Sequence, residues 1–462
     1  MKSLIRKISI GLTVVCLLLS GVVFTPKAVL ADKAPDWPNE TVSTLAKSSC
    51  LIDYNTGTIL YESGAHKKRF PASITKILTA LLTIENADMN DTLTYSENAL
   101  SCIKDGAANI GAKKGEKMSV KDALYGMMLQ SGNECATALG EHMFGSEKAF
   151  VKKMNERAKE AGAEDSHFMN GNGLHNENHY VTAYDMAMIM KAALKYPLFR
   201  EILGTTQYTI QKNNKRKERF ISSMRHKMIW EGGPYYYKGI IGGKTGFTDQ
   251  ARNTLVTAAE RNGLTLIAVV LKSDTTHVYT DTKKLFDYGF EHFKSVNVSK
   301  SDHRFDDENE YGLTSPFIDK VGTLQLDKNA TVVIPKGADY SDLNTSAVFN
   351  KTKNEFSKIT YKYGDKTVGS ATLTYNKGAS IKATANDQEQ ETIEKITTTA
   401  PAKAKSSAKK ESKTSIKNLT PVIIIVVCAV VLITLIVLLV RRQKKINKIR
   451  AEKRNRNRYT HD

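Results

Sequence analysis

Cysteine is scarce in this chain: five occur in 462 residues, and two of them, Cys16 and Cys428, fall inside apolar end segments. The other three, Cys50, Cys102 and Cys135, are an odd number that cannot all pair internally, and their spacing fits no zinc site. A disulfide scaffold and a zinc module are thereby excluded, and each thiol is expected to pack as a small buried apolar group. Internal repeats are absent as well. Net charge is missing from the middle of the chain. Of the formal +19, the termini and a lysine-rich linker supply seventeen, so residues 28–400 carry only +2. That balance gives no support to a nucleic-acid partner, because a basic total says little when its location is terminal.

Long apolar runs are confined to the two ends. "MKSLIRKISIGLTVVCLLLSGVVFTPKAVLADK" places Lys2, Arg6 and Lys7 before an apolar stretch from Ile8 to Val23, then small residues up to Ala31. This is the layout of a secretory signal peptide over residues 1–31. Residues 422–440, "VIIIVVCAVVLITLIVLLV", contain no charge. At about 1.5 Å rise per residue such a run spans close to the roughly 30 Å of a bilayer core. It is followed by a tail with ten Lys or Arg against two acidic residues. Basic flanks stay cytoplasmic, so the expectation is a single-pass cell-membrane protein whose body is extracellular.

Between the ends the texture changes twice. "SSCLIDYNTGTILYE" from Ser48 reads as a β-hairpin, and residues 73–87, 119–130 and 182–196 show helical spacing of apolar positions. "RNTLVTAAE" and "GLTLIAVVLKS" read as two strands around Asn262-Gly263. Together they predict an α+β domain over 32–298, an antiparallel sheet with a helical cluster. Short alternating segments then predict a small all-β domain over 299–383. Residues 384–420, rich in Thr, Ala, Lys and Ser, cannot form a core and are expected to be a flexible stalk. A transmembrane helix at 421–441 and a basic cytoplasmic tail at 442–462 complete the organisation.

Chemistry enters at "RFPASITKILTALLTI", where Ser73 precedes Lys76 by three residues at the front of an amphipathic run. Taken alone the pair is a weak signal, because serines near helix starts usually cap backbone N–H groups and Ser-x-x-Lys recurs at 101/104, 406/409 and 407/410. Two further elements follow in order: Ser131-Gly132-Asn133 at the end of a predicted helix, and Lys244-Thr245-Gly246 beside strand-like sequence. A serine hydroxyl attacks poorly until a base removes its proton. Lys76 suits that role only when neutral, and bringing lysine from near 10.4 to about 7–8 requires roughly 4 kcal/mol. Burial, a second cation such as Lys244 and the positive end of a helix all act in that direction. Ser131 then suits a proton carrier, and Asn133 can hold both Lys76 and a substrate amide. Lys244 and Thr245 suit a substrate carboxylate, Gly246 allows close backbone approach, and the N–H groups of Ser73 and Phe247 suit an oxyanion hole.

The ordered trio, with Ser-Gly-Asn in place of Ser-Asp-Asn, is that of penicillin-binding proteins and class A β-lactamases. Residues 35 to about 295 resemble the low-molecular-weight penicillin-binding proteins that act as serine-type D-Ala-D-Ala carboxypeptidases. The likeness extends through "LIDYNTGTILYE", "ANIGAKKGEKMSVKDALYGMMLQSGNECATALGEH", "HFMNGNGLHNENHYVTAYDMA" and "TKKLFDYGF". The resemblance implies a β-lactamase/transpeptidase-like fold, an acyl-enzyme on Ser73, and release of the terminal D-alanine from peptidoglycan stem pentapeptides. It also implies covalent inhibition by β-lactam antibiotics, with no cofactor and no metal. Relatives commonly carry a basic substrate-carboxylate anchor before the "DTKKLL-DYGF" segment, where His277 is the candidate here, and Arg252 stands where glycine is common. His175 and His179, four apart in a Gly- and Asn-rich stretch, read as part of a turn rather than as metal ligands. A DD-endopeptidase, a β-lactamase and a non-catalytic wall-binding scaffold are the alternatives. The β-lactamase is opposed by "HFMNGNGLH", which lacks the acid that class A enzymes place there, Glu164 and Asp165 lying before it.

Overall fold

A computed structural model describes residues 35–39, 41–103, 106–223, 225–302, 322–349 and 357–377. The chain divides into units Met1–Ile381 and Lys382–Asp462. Every described residue belongs to the first. The expected signal peptide, stalk, membrane helix and tail lie outside the described residues, among which no helix is long and apolar enough to cross a membrane.

Strand β1 (Ser48–Asp53) turns back antiparallel into β2 (Ile59–Ser63), as the hairpin pattern predicts. Asp53 closes the turn by accepting from the N–H and the hydroxyl of Thr56, both at 2.7 Å. The helical region follows, with α1 (Lys76–Asn86), β3 (Thr92–Thr94), α2 (Glu97–Ser101), β4 (Lys117–Ser119), α3 (Val120–Leu129), α4 (Asn133–Phe144), α5 (Glu147–Glu160), α6 (Ala183–Ala193) and α7 (Pro197–Gly204). A small hairpin, β5 (Gln207–Ile210) and β6 (Arg219–Ser222), leads to three long strands, β7 (Ile240–Thr248), β8 (Arg252–Arg261) and β9 (Leu264–Ser273), and then to α8 (His277–His292).

The long strands close an antiparallel five-stranded sheet of order β2-β1-β9-β8-β7. The continuous apolar run of β9 is explained by cover on both faces. Ile267, Val269 and Leu271 join the core under the helical cluster, while Leu266, Ala268 and Val270 pack beneath α8. Each Val, Leu or Ile side chain among these stabilises the fold by roughly 1.5–3 kcal/mol on burial. Helix α1 is the hub of the cluster, buried continuously from Lys76 to Thr83. Four helices of this region begin at a capping side chain: Ser96, Ser119, Ser146 and Thr182 each accept from the backbone N–H three residues on, at 2.8, 3.0, 3.2 and 3.0 Å.

The second sheet contains β10 (Phe293–Asn297), β11 (Gly322–Leu326), β12 (Thr331–Pro335), β13 (Asn344–Phe349), β14 (Ser357–Tyr363) and β15 (Lys366–Lys377) in the order β10-β12-β15-β14-β13, with β11 also on β15. Its first strand corrects the expected boundary at 298. Phe293–Asn297 pairs with Thr331–Pro335, α8 running into β10 without a linker, so the second sheet begins six residues before position 299. Trp37 packs on this second sheet, its ring 5.0 Å from Phe293 of β10 and 6.2 Å from Tyr363 of β14.

Candidate active site

Ser73 does not cap a helix. It sits in a 3-10 turn, Ala72–Thr75, that runs into α1, and neither Pro71 before that turn nor Thr75 before α1 makes a side-chain cap. Ala72 adopts φ +52, the left-handed region that non-glycine residues seldom occupy, so the nucleophile follows a strained residue. The turn is held from outside by Thr254 on β8, which donates to Pro71 O at 2.8 Å, and from within by Thr75, which donates to Ala72 O at 2.9 Å.

Lys76, the first residue of α1, is fully buried, and three oxygens surround its nitrogen. Ser73 Oγ is at 2.9 Å, Asn133 Oδ1 at 2.7 Å and the Asn172 carbonyl at 2.6 Å. A neutral amine has two hydrogens and one lone pair. The two carbonyl oxygens can only accept, so they take the hydrogens and leave the lone pair for the Ser73 hydroxyl. The electrostatics agree. Burial lowers the Lys76 pKa from 10.5 to about 7; the Arg225 charge acts in the same sense, and Glu134 opposes it.

The second element reaches the same place from the other end of α3. Ser131 has φ +61, and Asn133 opens α4, its N–H donating to Ala108 O at 2.9 Å. The third element lies on β7, the outer strand of the five-stranded sheet, so alternate backbone groups of that strand point away from β8. Lys244 Nζ is 3.1 Å from Ser131 Oγ and 3.0 Å from Thr245 O. Burial first, then repulsion from Lys76 and Arg225, holds its pKa well below the ordinary lysine range.

Around these groups is a cleft of about 380 Å³ whose walls include Ser73, Ser131, Asn133, Thr245, Gly246 and Phe247. Phe247 is 54% exposed at its edge. Gly246 is needed for a reason other than substrate approach. A Cβ there would lie 2.4 Å from Thr254 Oγ1 and 2.8 Å from Ser73 N, so the missing side chain lets β7 seat the nucleophile turn. Arg252 occupies a left-handed position, φ +56, where β7 turns into β8, which accounts for a site that glycine would suit.

His277 is not among the residues lining the cleft; its ring pairs with Asp274 at the exposed start of α8. The exposed cations on the cleft wall are Arg225 and Lys227, which the motif spacing did not single out. Their segment follows a short hairpin and carries no pattern of its own. The Asn172 carbonyl was missed too, since a backbone oxygen leaves no residue-type signal. The flanking glycine does leave one. Gly173 has φ +84, and a Cβ on it would fall 1.9 Å from Ala72 O. Asn170 and Asn172 brace that loop through the N–H groups of Gly173 and Leu174 at 2.7 and 2.9 Å. The two histidines beyond it part company: His179 is buried 3.2 Å from Thr75 Oγ1, and His175 pairs with Glu177 at the surface. Cys50, Cys102 and Cys135 are all free and buried.

Glu134 was also unforeseen. It is wholly buried behind Asn133, and its carboxylate accepts from the backbone of Ile110 at 2.8 Å and Ala112 at 3.4 Å. It thereby fixes the loop that supplies Gly106, Ala107 and Ala108 to the cleft.

The sequence profile of the D-alanyl-D-alanine carboxypeptidases, peptidase family S11, matches residues 33–275. The chain belongs to this family of serine-type D-Ala-D-Ala carboxypeptidases. It is 33% identical over 304 residues to the D-alanyl-D-alanine carboxypeptidase DacF of Bacillus subtilis, covering 64% of this chain and 75% of DacF. To DacA of Escherichia coli it is 30% identical over 318 residues, 67% of this chain and 75% of that enzyme. In three dimensions it is similar to the Streptomyces K15 DD-transpeptidase, with TM-score 0.51 and 29% identity over 55% of this chain and all of that one. Penicillin-binding protein 5 of Haemophilus influenzae shares the fold over 74% of this carboxypeptidase and all of its own chain, with TM-score 0.57 at 24% identity.

Proposed function

We propose that this carboxypeptidase removes the terminal D-alanine from peptidoglycan stem pentapeptides at the outer face of the cell membrane, and that β-lactams acylate the same serine. Ser73 Oγ attacks the carbonyl carbon of the penultimate D-alanine while its proton passes to Lys76. The N–H groups of Ser73 and Phe247 receive the oxyanion. The leaving D-alanine takes its proton along Lys244 and Ser131, and water then cleaves the Ser73 ester, the proton returning by the same route. Thr245 and the two cations at the wall, Arg225 and Lys227, hold the substrate carboxylate, in place of His277. Anchoring by a single span at 421–441, with the tail inside, rests on the uncharged run and its basic flank.

The observation that carries this reading is the arrangement at Lys76, two carbonyl acceptors within 2.7 Å and the serine hydroxyl at 2.9 Å, which directs a lone pair at the nucleophile. Among the described residues no carboxylate lines the cleft, which disfavours a β-lactamase that depends on an acid to activate water. The test uses the full chain in detergent, with a pentapeptide ending in D-Ala-D-Ala and a fluorescent penicillin. D-alanine release and lasting label are expected. Absent label, or label shed within seconds, would sink the proposal.

A further inference from the structure

The near neutrality of the extracellular body conceals a strong asymmetry. Residues 109–121 and 211–220 contain nine Lys or Arg and two glutamates, a net +7 where residues 28–400 as a whole carry +2. The rest of the body is therefore acidic, and these two segments stand apart from it.

They are far apart in sequence but interlocked in space. Asn214 accepts from the Lys117 N–H at 2.8 Å and donates to Gly115 O at 2.9 Å. Asn213 donates to Glu116 at 2.8 Å, and Arg219 donates to Ile110 O at 3.1 Å. Arg216 bonds Gly111 O, and Arg219 also pairs with Glu116, the buried one of the two acids. Glu116 is thus consumed in joining the segments. Lys114 is paired with Glu97 at 2.6 Å, which leaves Lys113, Lys117, Lys121, Lys212, Lys215 and Lys217 exposed on the same ridge.

The ridge is continuous with the active site. Its first strand of chain leaves the cleft wall at Ala108, which accepts from the N–H of catalytic Asn133, and is bolted down at Ile110 and Ala112 by Glu134. Lys113 lies five residues beyond Ala108, a reach of at most about 18 Å. Such a charged surface, rigidly joined to a cleft, raises the local concentration of an oppositely charged substrate.

Resting on the proposed function, we infer that this ridge is an extended substrate subsite that holds the carboxylates of polymeric peptidoglycan around the stem peptide being trimmed. The enzyme would then prefer wall polymer to free peptide. A bilayer is the weaker partner for this surface. Membrane-docking faces combine basic residues with a broad apolar side, and Phe220, 65% exposed, is the single large exposed apolar group here among the described residues.

The experiment compares two substrates on one full-length protein in detergent: a soluble pentapeptide, and peptidoglycan freed of phosphate-bearing polymers by acid. The quadruple change Lys113→Glu, Lys117→Glu, Lys212→Glu, Lys215→Glu is expected to lower kcat/KM on the polymer at least about tenfold and to leave the pentapeptide within twofold. The unmodified enzyme should lose polymer activity more steeply than pentapeptide activity as salt rises from about 50 to 500 mM, which needs no variant to fold. Equal salt slopes on the two substrates would overturn the inference. So would a variant that keeps its polymer rate, or one whose loss appears only on anionic vesicles or on wall still bearing phosphate polymer. If the unmodified enzyme releases no D-alanine from either substrate, the fault lies with the proposed function instead.

Discussion

Two serines stand at two helix starts and have opposite fates. Ser119 precedes α3, accepts from the Asp122 N–H and satisfies one of the helix's unpaired donors. Ser73 stands before α1, caps nothing, and faces a buried amine. The Ser119 cap itself is a bond between near neighbours in sequence, while the N–H groups of Val120 and Lys121 reach Asp91 O and Met89 O at 2.8 and 3.0 Å. The nucleophile's helix start is assembled from afar: Thr254 of β8 and Gly246 of β7 hold the turn, and Asn133 and the Asn172 carbonyl hold the lysine. A local hydrogen bond makes a stable helix end, and the lack of one at Ser73 leaves its oxygen free for chemistry.

The largest break in this comparison is Ser73→Ala. It should lower D-alanine release by at least about 10⁴-fold and abolish penicillin labelling, with thermal unfolding unchanged, since no cap is lost. Retained turnover would mean that a different nucleophile operates. Next comes Gly173→Ala, which forces a Cβ against Ala72 O at a left-handed position. The turn must shift, and kcat/KM should fall about 10²-fold or more with a lower Tm; wild-type kinetics would show that the turn tolerates displacement.

The third test is pH. With Lys76 lowered to about 7 by burial, the base is neutral above that value, so kcat/KM should fall about tenfold per unit below pH 7. Stability has its own sign. Between pH 7 and 10.5 the unfolded chain holds a proton on this amine that the folded chain does not, so folding becomes more favourable as pH rises through that window. Lys244, lowered in the same sense, adds to that rise, so Lys76→Met should make it shallower without removing it, measured by denaturant unfolding at several pH values; an unchanged slope would place the charge elsewhere. The smallest effect is expected of Ser119→Ala, about 1 kcal/mol of stability with activity intact. Lost activity there would mean that caps and catalysis are coupled.

Much of this was legible beforehand. The hairpin at Ser48, the helices at 119–130 and 182–196 and the paired strands at 252–273 declare themselves by period and turn residues, and the structure places elements at each. Ser73, Lys76, Ser131, Asn133 and Lys244 are readable because their chemistry lies in side chains at fixed spacing; Ser73, Ser131 and Asn133 line one cleft, and the two buried lysines bond to them. What escaped had no such signature. The Asn172 carbonyl is backbone, Arg225 and Lys227 belong to a segment without pattern, and Glu134 acts on N–H groups more than twenty residues away. His277 matched by position alone, and its neighbour Asp274 claims it.

Residue types, spacing and charge by themselves determined that this protein has two serines, two lysines and an asparagine suited to acyl transfer, and a body between two apolar ends. Only the folded chain decided that both lysines are buried and lowered, which carbonyls hold Lys76, and that nine scattered cations form one ridge beside the cleft. Period and propensity act between near neighbours. Burial and Coulomb forces depend on distance in space, which is fixed only once the chain has folded.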